Sequence, residues 1–100
     1  TMLELAVLGL LAEQPMHGYE LKKRLSETLG PLWGISFGSL YPALQKLLVK
    51  VWVTAAWRAS ESGRQVREYR ITPSGRRQLE TEVAEYRRMA SAIGVLLDEA

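Results

Sequence analysis

The sequence predicts a mainly α fold with one β-hairpin, in the order α-α-α-β-β-α, and three features carry that prediction. Apolar residues recur at helical spacing in three successive stretches before residue 50. The period then falls to two between Val51 and Ile71. Beyond Thr72-Pro73 a single helical pattern runs to the end of the chain. At 100 residues the chain makes one domain, with a core that is real but thin.

In the first helix Leu3, Ala6, Val7, Leu10 and Leu11 share a face, and Leu5 and Leu8 add a second apolar side, so burial nearly all round is expected. Gln14-Pro15-Met16-His17-Gly18 breaks the pattern. A second helix starts near Tyr19, uses Leu21, Leu25 and Leu29, and stops at Gly30-Pro31. The third helix has Leu40, Ala43, Leu44 and Leu47 as its core face and two candidate N-caps, Ser36 and Ser39. Proline is costly inside a helix, so Pro42 favours a start at Ser39, with Ser36 opening a preceding turn.

Val51, Val53, Ala55 and Trp57 alternate with Trp52, Thr54, Ala56 and Arg58, which reads as a strand. Ser60-Glu61-Ser62-Gly63 is turn material, and Val66 to Ile71 returns as a second strand. Core packing is expected for two of the three tryptophans. Thr72 caps the last helix, with Pro73 in its first turn. In that helix Leu79, Val83, Tyr86, Ala90, Ile93 and Leu97 follow at spacings of 4, 3, 4, 3 and 4. That is the seam of a helix facing another helix, here a second copy of the chain, although packing onto its own domain gives a similar stripe.

The charge is locally uneven. Net charge is only +2, yet Lys22, Lys23 and Arg24 cluster, as do Arg64, Arg67 and Arg70, and then Arg76 and Arg77. Clusters of this kind suit a polyanion. Helices two and three, joined by a short connection, form a helix-turn-helix, and the hairpin beside them a wing. The whole is a winged helix-turn-helix with a long C-terminal dimerisation helix. A helix fits the DNA major groove, while basic side chains around it neutralise phosphates.

Three segments carry a family resemblance. Leu5 to Leu11 followed by Pro15-Met16-His17-Gly18-Tyr19-Glu20-Leu21 resembles the opening of PadR-type transcriptional regulators. Gly38-Ser39-Leu40-Tyr41-Pro42-Ala43-Leu44 is similar to the start of their recognition helix. Arg67-Glu68-Tyr69-Arg70-Ile71-Thr72, with Gly75-Arg76, is similar to their second wing strand and the helix after it. The single terminal helix resembles the compact branch of the family, whose members dimerise through it and often sense small molecules. The resemblance implies that Tyr19, with Lys22 and Lys23, approaches the DNA backbone from helix two. It also implies that Ser39, Tyr41 and Lys46 face the groove from helix three, and that Arg64 and Arg67 are wing contacts. Helix packing is the competing role for the two tyrosines, and plain solvent exposure for the cations. Residues 1–72 are then the DNA-binding part and 73–100 the dimerisation helix, in one structural unit.

The chain departs from the family pattern after Leu47. Acidic residues and a glycine are usual there, and Leu48-Val49-Lys50-Val51-Trp52-Val53 stands instead. A glycine would take the left-handed conformation at a helix end cheaply, whereas Val51 does so at a steric cost. Either the helix exits differently or the strand begins earlier.

Other functions are weighed against this. The chain has no cysteine and one histidine, no phosphate-cradling loop and no nucleophile–base set, so no catalytic residue, cofactor or metal site is expected. The absence of cysteine fits a reducing cytoplasm. The apolar opening is too short to span a membrane and contains Glu4. The partners expected are double-stranded DNA at a pseudo-palindromic operator, a second copy of the chain, and a small apolar or aromatic effector whose binding releases a repressor. The effector would sit at the dimer seam among Tyr86, Met89, Ala90 and Ile93, with Leu5 and Leu8 opposite and Glu4 at the border. A filled seam with no cavity is the plainer alternative. A winged-helix module that binds protein is the other alternative, kept open by Trp33, Trp52, Trp57 and the apolar run at 48–53.

Overall fold

The computed structural model describes residues 1–98. Its elements are α1 (Met2–Glu13), β1 (Met16–His17), α2 (Gly18–Leu29), α3 (Phe37–Val49), β2 (Val53–Ala59), β3 (Gln65–Ile71) and α4 (Pro73–Asp98). The three strands form an antiparallel sheet in the order β1-β3-β2. Among the described residues no helix is long and apolar enough to cross a membrane.

The core is built from one stripe of each element. Val7, Leu8 and Leu11 of α1 meet Leu21 and Leu25 of α2, the Leu40, Leu44 and Leu47 stripe of α3, and Val53 and Tyr69 of the sheet. The strand β1 was not foreseen. Gln14 is extended because Pro15 disfavours a helical residue before it, and the chain then runs alongside β3, pairing Met16 with Tyr69 and His17 with Glu68. Two residues are too few to show a period, so the alternation test cannot find them.

Three expectations need correction. The helix α3 starts at Phe37, earlier than Ser39, because Ser36 and Ser39 form a reciprocal capping box. Pro42 therefore lies inside the helix. The carbonyl it leaves without a donor belongs to Gly38, an exposed residue that water can serve. The strand β2 starts at Val53 instead of Val51. Only Trp52 among the tryptophans is half-buried, while Trp33 and Trp57 are 41% and 68% exposed. Trp33 lies in the α2–α3 connection, and Trp57 lies beyond the last core-facing rung of the hairpin.

The exit from α3 explains the late strand. The Val51 amide donates to the Leu48 carbonyl at 3.0 Å and the Trp52 amide to Leu47 at 3.1 Å, the pair of bonds that closes a helix through a left-handed residue. Val51 is that residue, with φ 57°. Its carbonyl is held by the hydroxyls of Thr72 at 2.7 Å and Ser74 at 3.1 Å. The left-handed conformation costs a branched residue about 1–2 kcal/mol, partly offset by the greater chain entropy a glycine would lose. Val51→Gly is therefore expected to stabilise the fold by up to about 1 kcal/mol in a thermal melt. An unchanged or lower midpoint would mean that the Val51 backbone is not strained.

Candidate nucleic-acid interface

The start of α2 sets the first edge of the site. His17 caps the helix, its Nδ1 accepting the Glu20 amide at 3.2 Å. This gives the lone histidine a structural task. With Leu21 and Leu25 turned inward, Tyr19 (70% exposed) and Lys23 point to solvent, and the Lys22 ammonium sits 5.2 Å from the centre of the Phe37 ring.

On α3, Phe37 and Tyr41 stack with ring centres 5.4 Å apart. The Tyr41 hydroxyl closes on Gly18, where a methyl group would come within 3.0 Å of it. Tyr41 thus ties the two helices together and keeps half its surface exposed. Both roles considered for it are compatible with this position.

The hairpin supplies the third edge. Trp57 pairs with Arg67, and Ala59 with Gln65, on the sheet face that carries Val53 and Tyr69 nearer the core. The turn over 60–64 closes through Gly63 at φ 85°. Arg67 lies 5.9 Å from the ring of buried Tyr69. Burial pushes the Tyr69 phenol up, against a smaller opposing effect of Arg67, so it stays neutral.

These edges enclose a cleft of about 480 Å³ whose lining includes Tyr19, Tyr41, Gln45, Trp57, Gln65 and Arg67. Tyr19 also borders a hollow that holds Arg64 and another that holds Lys22 and Lys23. The structure therefore brings six of the eight expected DNA-contact residues around Tyr19. Ser39 and Lys46 are not among them. The Ser39 hydroxyl is spent on the cap, donating to the Ser36 carbonyl at 3.0 Å. Lys46 is exposed on α3 and lines none of these hollows. Burial works to raise the Glu4 carboxyl, but the Thr1 hydrogen bond, the N-terminal amine and Lys46 together hold it below the ordinary value.

Charge pairing sorts the cations. Arg58 and Arg70 both reach Glu68 at 3.1 Å, and Arg24 reaches Glu13 at 3.5 Å. Lys22, Lys23, Arg64 and Arg67 have no acidic partner among the described residues. Lys46, Lys50, Arg76, Arg77, Arg87 and Arg88 are likewise without one, so what distinguishes these four is their place around Tyr19. Gln45 and Trp57 also border the cleft and were not anticipated as site residues. Gln45 could have been found as a helix position off the core stripe, but Trp57 reads as one more apolar member of the β2 alternation.

The terminal helix divides in two. Leu79 packs against the chain's own core and Val83 is half-buried, while Arg76 donates to the Ala12 carbonyl at 3.4 Å. From Tyr86 onward the apolar side chains stand clear: Met89 is 64% exposed and Leu97 68%, and Ala90 and Ile93 are exposed as well. Tyr86 borders a hollow of about 260 Å³ with Met2, Leu5, Ala6, Leu29 and Trp33. Leu8 and Glu4, expected to face a seam cavity, do not: Leu8 is fully buried in the core, and Glu4 is buried and bonded to Thr1.

Comparison with known proteins gives a consistent picture. The transcriptional regulator PadR-like family model matches residues 7–81. The negative transcriptional regulator PadR of Bacillus subtilis is 30% identical over 78 residues, which make up 78% of this chain and 43% of that protein. The chain spans less than half the length of the curated relatives it matches. A PadR-like transcriptional regulator of Bacillus cereus superposes with a TM-score of 0.86 at 27% identity, covering 95% of this chain and 90% of that one. Bacillus subtilis PadR in complex with operator DNA superposes at 0.71 with 28% identity, covering 81% and 46%.

Proposed function

Because this chain belongs to the transcriptional regulator PadR-like family, we propose that it binds duplex DNA through the α2–α3–hairpin face as a homodimer, and represses transcription until a small apolar or aromatic effector binds. The observation that carries the reading is the set of unpaired cations around Tyr19. Lys22, Lys23, Arg64 and Arg67 neutralise phosphates, which fixes the protein on the duplex, while α3 presents its outer surface to the major groove. Residues 1–72 carry the DNA face and α4 the dimerisation helix, while residues 99 and 100 of the expected 73–100 segment lie outside the described residues. The exposed apolar half of α4 supports the second copy. With two-fold symmetry the operator is pseudo-palindromic, its half-sites about 34 Å apart. The hollow beside Tyr86 and Trp33 is the effector seat the geometry supports best.

A salt titration tests the reading. Four cations per chain give about eight phosphate contacts per dimer, a log–log slope near −7, and roughly a 10⁴-fold loss of affinity between about 50 and 200 mM salt. Arg67→Ala removes about two contacts per dimer and makes the slope shallower by about 2. Fluorescence anisotropy on a fragment from upstream of the protein's own gene reads both. Salt-independent association, or none at low salt, would favour a protein-binding winged helix instead.

A further inference from the structure

The outermost ridge of α3 is almost devoid of hydrogen-bonding groups. Gly38, Pro42, Gln45 and Val49 follow one another at spacings of four, three and four, opposite the Leu40–Leu44–Leu47 core stripe, and all four are exposed. Val49 is 72% exposed, so its methyl groups are free to meet a partner surface. The polar neighbours on α3 are occupied or turned aside. Ser39 is bonded into the cap, the Tyr41 hydroxyl lies against Gly18, and Lys46 falls on the flank of α3 across the ridge from Tyr41. Gln45 alone on this ridge offers both a donor and an acceptor, and its amide makes no hydrogen bond to any described residue.

We infer that Gln45 is the base-reading residue of this chain and that it selects adenine, with Pro42 and Val49 resting on thymine methyl groups beside it. The inference rests on the DNA-binding reading above. A side-chain amide meets the adenine N6 and N7 edge with two hydrogen bonds, whereas guanine, with O6 and N7, offers two acceptors that call for an arginine or lysine. The apolar groups on either side favour the thymine 5-methyl over the bare edge of cytosine. The ridge carries no cation, so sequence is read by a neutral surface while the charges at its borders hold the phosphates. An A·T pair at one fixed position of each half-site follows.

Selection from a random duplex pool, run with the wild type, Gln45→Ala and Gln45→Arg, tests this. The wild type should enrich an A·T pair at one symmetric position per half-site. Gln45→Ala should lose between about 5- and 150-fold of discrimination at that pair and keep the wild-type salt slope. Gln45→Arg should move the preference at the same pair to G·C. Because Gln45 is exposed, the melting midpoint of both variants should match the wild type. If Gln45→Ala selects the unaltered motif, or weakens binding to all sequences equally, Gln45 does not read a base and the inference falls while DNA binding stands. If the wild type enriches nothing and fails to bind at low salt, both fall together.

Discussion

Replacing Gly75 with alanine is expected to destabilise the protein by about 3 kcal/mol or more, a large share of the roughly 5–15 kcal/mol available to a domain of this size. Gly75 is buried in the first turn of α4. A Cβ there would run into the Trp52 carbonyl oxygen, which already accepts the Thr72 amide at 3.0 Å, and would approach the Ile71 Cγ1 to 2.9 Å. Most overpacking is relieved by a side chain moving aside. Here the main obstacle is backbone, in the segment that links the end of α3 to β2, so relief means shifting the wing relative to α3. Urea denaturation reads the loss directly, and Gly75→Ala within about 0.5 kcal/mol of wild type would show that α4 does not press against that segment.

On the proposed pairing through α4, Ile93→Asp is expected to leave the chain monomeric and to weaken DNA binding by about 100-fold or more. The domain ends its own packing near Val83, and a 26-residue α4 spans about 39 Å, so its last turns project beyond the core with their apolar face uncovered. Pairing two such helices places Ile93 in the seam, where two aspartates would have to lose water beside each other. Two linked reading heads bind a two-part site far more tightly than one, because the second contact is made at high effective concentration. Since Ile93 is exposed in the single chain, the fold itself should survive. Sedimentation separates the two results: a dimer unaffected by Ile93→Asp would mean that α4 is not the seam.

The order of elements was legible because each long element repeats its own period. Leu40, Ala43, Leu44 and Leu47 mark one helix face and nothing else, and Thr72-Pro73 marks a start that the Thr72 hydroxyl, accepting the Gly75 amide at 3.0 Å, confirms. Short-range bonding hid the rest. Pro42 argued for a late start to α3, but the Ser36–Ser39 box satisfies more of the helix's first amides than the proline disrupts. Valine at position 51 spoke for a strand, and the chain instead accepts the strain to close α3. The site was legible as charge, only in part. Composition could not tell Arg70, taken up by Glu68, from Arg67, which faces the cleft, because that depends on strand register. Trp57 was hidden for a similar reason: alternation says which face a residue takes but not where along the hairpin the core ends.

The most direct test of the DNA face is an amide NMR titration of the ¹⁵N-labelled protein with a duplex fragment that binds it. Shifts are expected at Tyr19–Lys23, along the exposed face of α3, and at Trp57 through Arg67, with the α4 segment after Tyr86 left unchanged. Shifts confined to α1 and α4, with the cleft between α3 and the hairpin untouched, would contradict that DNA face.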